Sequence, residues 1–245
     1  MPRRSSKAPI VAARTEPAPD TRDRLLNAAG EVFAESGFRD ATVRDICSRA
    51  GANIAAINYH FGDKQAIYTA AMERMHASCK GADVADLSPD LPPEEGLHLY
   101  IRGFVENLLS KKDPEWYGKL MAREMVEPTP ALDMIVEKYI RPRWTFLTGV
   151  VSRIINRPLD DWDTILSASS IIGQCLHRWQ CEQVIQRLIP QKFRRRTPDE
   201  IERIGEHIFR FSLAALHAIR DQRRRVKQTS RTRRTTASPR RGGLS

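Results

Sequence analysis

Between Asn53 and His60 the chain reads NIAAINYH, a run without a single Lys, Arg, Asp or Glu. Asn58, Tyr59 and His60 bring amide, phenol and imidazole groups, which donate and accept hydrogen bonds without formal charge, while Ala55 and Ala56 add almost no bulk. That combination suits base edges in a major groove about 12 Å wide, where amides reach donors and acceptors and small apolar groups meet thymine methyls. The same residues also suit a short core helix, with Tyr59 and His60 satisfied internally. A second cluster of reactive types, Cys175, His177, Cys181 and Glu182, places His177 and Cys181 four apart, on one helical face. Two ligands do not complete a zinc site, and no nucleophile, base and orienting group stand together, so neither metal binding nor catalysis is expected and no cofactor is implied.

The neutral run needs a scaffold, and its flanks supply one. ATVRDICSRAGAN predicts a short helix in which Thr42 is the N-cap, Asp45 closes a capping-box-like pair, Val43, Ile46 and Ala50 face inward, and Gly51 ends the turn. Asn53 then caps IAAINYHF, with Ile54, Ile57 and Phe61 at i, i+3 and i+7 as the inward face and Ala55, Ala56, Asn58, Tyr59 and His60 at least partly outward. Gly62 breaks that helix, Asp63 caps the next, and KQAIYTAAMERMHASC continues with Ile67, Ala71 and Met75 in line. Upstream, DTRDRLLNAAGEVFAESGFRD predicts a longer helix with Leu25, Leu26, Ala29, Val32 and Phe33 on one side, stopping at Gly37. A helix, a short turn containing Gly51 and a second helix, held by a preceding longer one, have the spacing of a helix-turn-helix. Thr42 at a helix N-terminus, Arg44 in the first turn, the Tyr59 hydroxyl and Lys64 add groups suited to phosphate.

Composition sets the frame around this unit. The 245 residues, 41% hydrophobic, suffice for one large or two modest domains with a real core. The formal charge of +10 sits in the tails: residues 220–245 carry ten Arg or Lys against one Asp, whereas residues 21–72 balance six basic against six acidic. The C-terminal stretch lacks apolar periodicity and reads as a disordered polycation able to attract phosphate without reading bases. No apolar run is long enough for a membrane span and the start lacks a signal-peptide pattern, so a cytoplasmic location is expected. The four cysteines are spaced too irregularly for a zinc cluster and are expected reduced and mostly buried.

Beyond SPDLPPEEG at 88–96, the main predicted boundary, the pattern is again helical: about 94–111, then a helix from Asp113, then 130–156, 161–189 and 198–224. Pro142 is expected to kink or interrupt the 130–156 helix. The last two helices carry apolar residues on more than one side, including Trp162, Leu166, Phe209 and Phe211, which fits a subunit interface and fits burial within one subunit nearly as well. Apolar and aromatic residues for a small-molecule cavity are Trp116, Tyr117, Met121, Met125, Trp144, Phe146, Trp162, His177 and Trp179, with Arg123 and Glu124 as polar contacts; core packing explains each of them as well.

The stretch TRDRLLNAAGEVFAESGFRDATVRDICSRAGANIAAINYHFGDKQAIYTAAM resembles the DNA-binding domain of TetR-family transcriptional regulators, through its G-F, T-V-R-D-I, A-G, Y-H-F and K in order. The part containing WYGKLMAREMVEPTPALDMIVEKYIRPRWTFLTGVVSRIINRP is similar to the CecR-like branch, and the two similarities span roughly residues 20–220. The resemblance implies an all-α fold, with a three-helix helix-turn-helix DNA-binding domain at 21–68 and a larger helical-bundle ligand-binding and dimerisation domain at 69–225. Disordered tails at 1–20 and 226–245 flank them. It further implies a homodimer on a palindromic double-stranded DNA operator, released by an unidentified small-molecule effector, with no membrane partner. Position by position, it puts Thr42 and Arg44 at the start of the positioning helix and Asn53 at the cap of the recognition helix. Ala55, Ala56 and Asn58 fall on the reading side, and Tyr59, His60 and Lys64 on the backbone-contacting positions. Many members have Ser or Thr where Asn53 stands, Gly where Ala55 stands and Tyr where Asn58 stands, so base preference is not inherited from an average member. The alternative is a helical dimeric interaction module that binds no operator.

Overall fold

The computed structural model of the chain describes residues 20–78, 88, 90–110, 114–191 and 197–236, and their regular structure is helical throughout. They divide into two compact units, Met1–Ala71 and Met72–Ser245.

In the first unit α1 (Thr21–Asp40), α2 (Val43–Ala50), α3 (Ile54–His60) and the start of α4 (Lys64–Ser78) surround one small core. The 3.6 period of α1 delivers Leu25, Leu26, Ala29, Val32 and Phe33 to it, each at most 4% exposed, and Ile46, Ile57 and Ile67 of the other three helices are fully buried. Gly37 interrupts α1 with φ 78° and ψ 172°, a backbone that a side chain disfavours, and so redirects the last turn. That turn lets Phe38 reach Tyr68 at 5.0 Å, while Phe33 meets the same ring edge-on at 4.8 Å. Gly51 closes α2 in the left-handed region, at φ 61° and ψ 40°. The inward face of α3 is narrower than its spacing predicts. Ile57 is fully buried, but Phe61 is half-buried under the Arg22 guanidinium and Ile54 is 46% exposed. At seven residues α3 makes fewer than two turns, so the position one turn before Ile57 projects beyond the core.

The second unit holds the rest of α4, α5 (Pro93–Leu109), α6 (Glu115–Val126), α7 (Ala131–Ile135), α8 (Arg141–Ile155), α9 (Trp162–Gln180), α10 (Glu182–Leu188) and α11 (Pro198–Thr236). Its core joins α5, α8, α9 and α11 through Leu97, Ile101, Leu147, Val151, Ile171, Ile208 and Leu216. Gly96 admits the Val150 methyl 3.3 Å from where its own Cβ would stand, and Gly118 admits the Trp179 ring at the same distance. The expected 130–156 helix is split by a π-turn, Val136–Ile140, closed by the Arg141 N–H on the Val136 carbonyl. Pro142 explains it: proline has no N–H for the preceding turn and its ring crowds the Lys138 carbonyl, which a widened turn relieves.

Two further boundaries differ from the sequence pattern. The expected 161–189 helix stops at Gln180, and Cys181, at φ −97° and ψ 18°, separates α10. The last helix does not give way to an unstructured tail near 224 but stays helical to Thr236, because Arg, Lys and Gln favour helix even where the apolar stripe has ended. Residues 237–245, the N-terminal tail to 19 and Cys79 lie outside the described residues. Cys47 and Cys175 are free and buried, and burial pushes the Cys175 thiol up to about 12.

Candidate nucleic-acid interface

Three N-caps set the geometry of the helix-turn-helix. The Thr42 hydroxyl accepts from the Asp45 N–H at 3.1 Å, and the Asp45 carboxylate accepts from the Thr42 N–H at 3.2 Å and its hydroxyl at 2.6 Å. Asn53 Oδ1 accepts from the Ala56 N–H at 3.0 Å, and Asp63 Oδ1 from the Ala66 N–H at 2.7 Å. Arg49 ties α2 to α1 by pairing with Glu35 at 2.7 Å and Glu31 at 3.7 Å.

With Ile57 as the plug, α3 turns Asn53, Ala55, Asn58 and Tyr59 to solvent, and Tyr59 is 85% exposed. Ala56 and His60 are half-buried, the imidazole lying edge-on to the Tyr59 ring at 5.0 Å. Arg44 is exposed on α2, whereas Thr42 already uses both its hydroxyl and its N–H in the capping box. Lys64 has a role that its place in the sequence does not announce. Its ammonium donates to the Ala41 carbonyl at 2.8 Å and the Arg39 carbonyl at 3.1 Å, and lies 4.8 Å from the centre of the Phe38 ring. Two of its three donors thus close the C-terminal end of α1, leaving one for a phosphate.

The residues expected at a small-molecule cavity divide between the interior and the surface. Trp116 and Tyr117 are buried, with ring centres 4.3 Å apart, and Met121, Trp144, Phe146 and Trp179 are partly buried. Glu124 is fully buried but engaged, its carboxylate accepting from the Thr129 N–H at 2.8 Å and hydroxyl at 3.0 Å. Met125, His177 and Trp162 lie on outer surfaces instead, Trp162 being 77% exposed: α6 buries Trp116, Tyr117, Leu120 and Glu124 rather than Met125, and the inward face of α9 is taken by Thr164, Ala168, Ile171 and Cys175. An open cleft between α5 and α11, lined by His98, Arg102, Glu206, Arg210, Phe211 and His217 among others, includes none of them.

One polar group escaped the sequence reading. His76, near the end of α4, is 9% exposed and stacks on Tyr139 of the π-turn at 5.1 Å, and neither ring nitrogen has a hydrogen-bond partner. Burial lowers its pKa to about 4, with the Arg143 charge adding to the effect. The adjacent Glu73–Lys138 pair, at 2.8 Å, fastens the same stretch of α4 to the π-turn. Among the described residues no group of three or more His, Cys, Asp or Glu is placed to hold a metal, and no helix is long and apolar enough to cross a membrane.

A capped, uncharged, outward-facing second helix in a helix-turn-helix, on a chain that continues into a helical bundle, defines a transcription regulator of the helix-turn-helix class. Residues 25–71 match the family model described as bacterial regulatory proteins, tetR family, and residues 93–216 that of the HTH-type transcriptional dual regulator CecR, C-terminal domain. The chain is 31% identical to the HTH-type transcriptional dual regulator CecR of Shigella flexneri over 63% of its own length and 74% of that protein. It is 36% identical to the HTH-type transcriptional repressor NicS of Pseudomonas putida over 34% of its length and 40% of the repressor. Among solved structures, FadR from Bacillus subtilis in complex with stearoyl-CoA aligns with a TM-score of 0.54 at 16% identity, covering 78% of this chain and 97% of FadR. A transcriptional regulator from Rhodococcus sp. Rha1 aligns with the same score at 20% identity, covering 80% and 97%. The chain belongs to the TetR family of transcriptional regulators and is related to its CecR-like members.

Proposed function

We propose that this chain is a ligand-released repressor that binds a palindromic operator as a homodimer. The observation that carries the reading is the exposed face of α3, on which Ala55, Asn58 and Tyr59 stand clear of the core, held by the Ile57 plug and the Asn53 cap, with Arg44 exposed on α2. In this reading Ala55, Ala56 and Asn58 meet base edges and Arg44, Tyr59, His60 and the remaining donor of Lys64 meet the phosphate backbone, while Thr42, both of whose donors go to Asp45, sets the start of α2. Dimerisation is supported by apolar side chains left exposed on the last long helices, Trp162 and Leu166 on α9 and Phe211 on α11. Trp116, Tyr117, Met121 and Phe146 are the effector contacts this reading keeps. The names of the relatives, a dual regulator and a repressor, support repression as one direction of control.

The test is selection from a random duplex library by the purified full chain, followed by release assays against a compound panel. A palindrome with half-sites about one helical turn apart, 34 to 36 Å, is the expected result. A soluble dimer that enriches no sequence would overturn the reading in favour of an interaction module.

A further inference from the structure

Within α3, Ile54 is the residue that folding leaves unexplained. It is 46% exposed, whereas Ile57, one turn on, is fully buried, and an exposed branched hydrocarbon in water is unfavourable. It stands between the Asn53 cap and exposed Ala55, in a first turn that carries no acidic residue. The early residues of a helix in this position are those that approach base edges. In the major groove the thymine C5-methyl is the hydrocarbon group that a base pair presents, directly beside the O4 acceptor.

Asn53 supplies the complementary half. Its Oδ1 is already engaged by the Ala56 N–H at 3.0 Å, so the outward remainder of its amide is the NH2, a donor. A hydrocarbon and a donor side by side match the methyl and O4 of thymine. They mismatch cytosine, which has no methyl and offers a donor at the same position. We propose that Ile54 reads a thymine methyl in each half-site, with Asn53 favouring thymine over cytosine at the same base, so that operator choice depends on a thymine under the first turn of α3. Branching at Cβ holds the Ile54 side chain near one rotamer, which makes the contact selective in position.

The inference rests on the operator-binding reading, and its test separates the two. The selected operator is resynthesised with deoxyuridine for each thymine in turn, which removes the methyl and keeps the pairing and O4. One thymine per half-site is expected to show about a fourfold loss of affinity on replacement, the worth of one buried methyl, and about fifteenfold when both half-sites are changed. Ile54→Ala should bind the thymine and deoxyuridine operators equally, while Ile54→Val keeps part of the discrimination. Because Ile54 is exposed, both variants should melt close to the parent chain, which a thermal scan checks. If an operator is enriched but deoxyuridine is tolerated everywhere, or Ile54→Ala keeps the full discrimination, this inference fails and operator binding stands. If no operator is enriched, both fail together.

Discussion

At the scale of single residues, Lys64 shows how one side chain serves two ends. Its ammonium closes the end of α1 through the Ala41 and Arg39 carbonyls and covers the Phe38 ring. Lys64→Gln is therefore expected to destabilise the chain by about 1 to 2 kcal/mol, the range for a lost charge-assisted hydrogen bond and cation–π contact. Urea unfolding measures this, and an unchanged midpoint would leave Lys64 as a phosphate contact alone. Asn58→Ala should instead leave stability untouched and alter which bases are preferred in a repeated selection, since Asn58 is exposed; equal loss on specific and random DNA would remove its base-reading role. The caps were legible because each joins residues three apart: Thr42 with Asp45, Asn53 with Ala56, Asp63 with Ala66. The Lys64 partners were not, because their carbonyls stand 25 and 23 residues upstream, beyond any local pattern. Ile54 was misplaced because periodicity assigns a face without saying where along that face the core ends.

At the scale of elements, the seam between α4 and the π-turn is the least conventional part of the fold. His76 lies there without a polar partner, and its folded-state pKa of about 4 is below that of an unfolded histidine. The unfolded chain therefore takes up a proton as pH falls through about 6.5, while the folded chain does so only near 4. The stability contributed by the neutral ring is full above that window and declines across it, by up to about 3 kcal/mol. His76→Phe, which keeps a ring against Tyr139, should flatten this part of the stability-versus-pH curve measured by thermal or urea unfolding. An identical slope in the variant would show that other groups govern it. From the sequence, Pro142 announced an interruption but not its form, and the burial of His76 depends on Tyr139, 63 positions away in the chain. The two ends of α11 show the complementary limit. Its start was legible from Pro198, whereas its continuation to Thr236 was hidden because apolar periodicity reports packing rather than helix formation.

At the scale of the whole molecule, charge and fold are distributed separately: the unit that carries the reading face is nearly neutral and the basic excess gathers at the C-terminal end. Removing residues 226–245 takes away six of the forty Lys and Arg. The expected outcome is weaker binding to random duplex DNA and a salt dependence shallower by at least about one unit in the log–log slope, with sequence preference unchanged. An unchanged slope would mean that the segment does not meet phosphate. The broad architecture followed from the sequence because helical periodicity and prolines mark long helices well, whereas the exposure of Trp162, His177 and Met125 depended on which helix faces met. The π-turn behaves as a single-codon insertion, since it holds about one residue more than an α-turn and sets everything after Ile140 roughly a hundred degrees out of phase with α7. A descendant that lost one codon there could close an ordinary helix around Pro142 only by presenting a different column of side chains to the bundle. Divergence across this segment should thus be recorded as a one-position gap followed by a correlated block of substitutions.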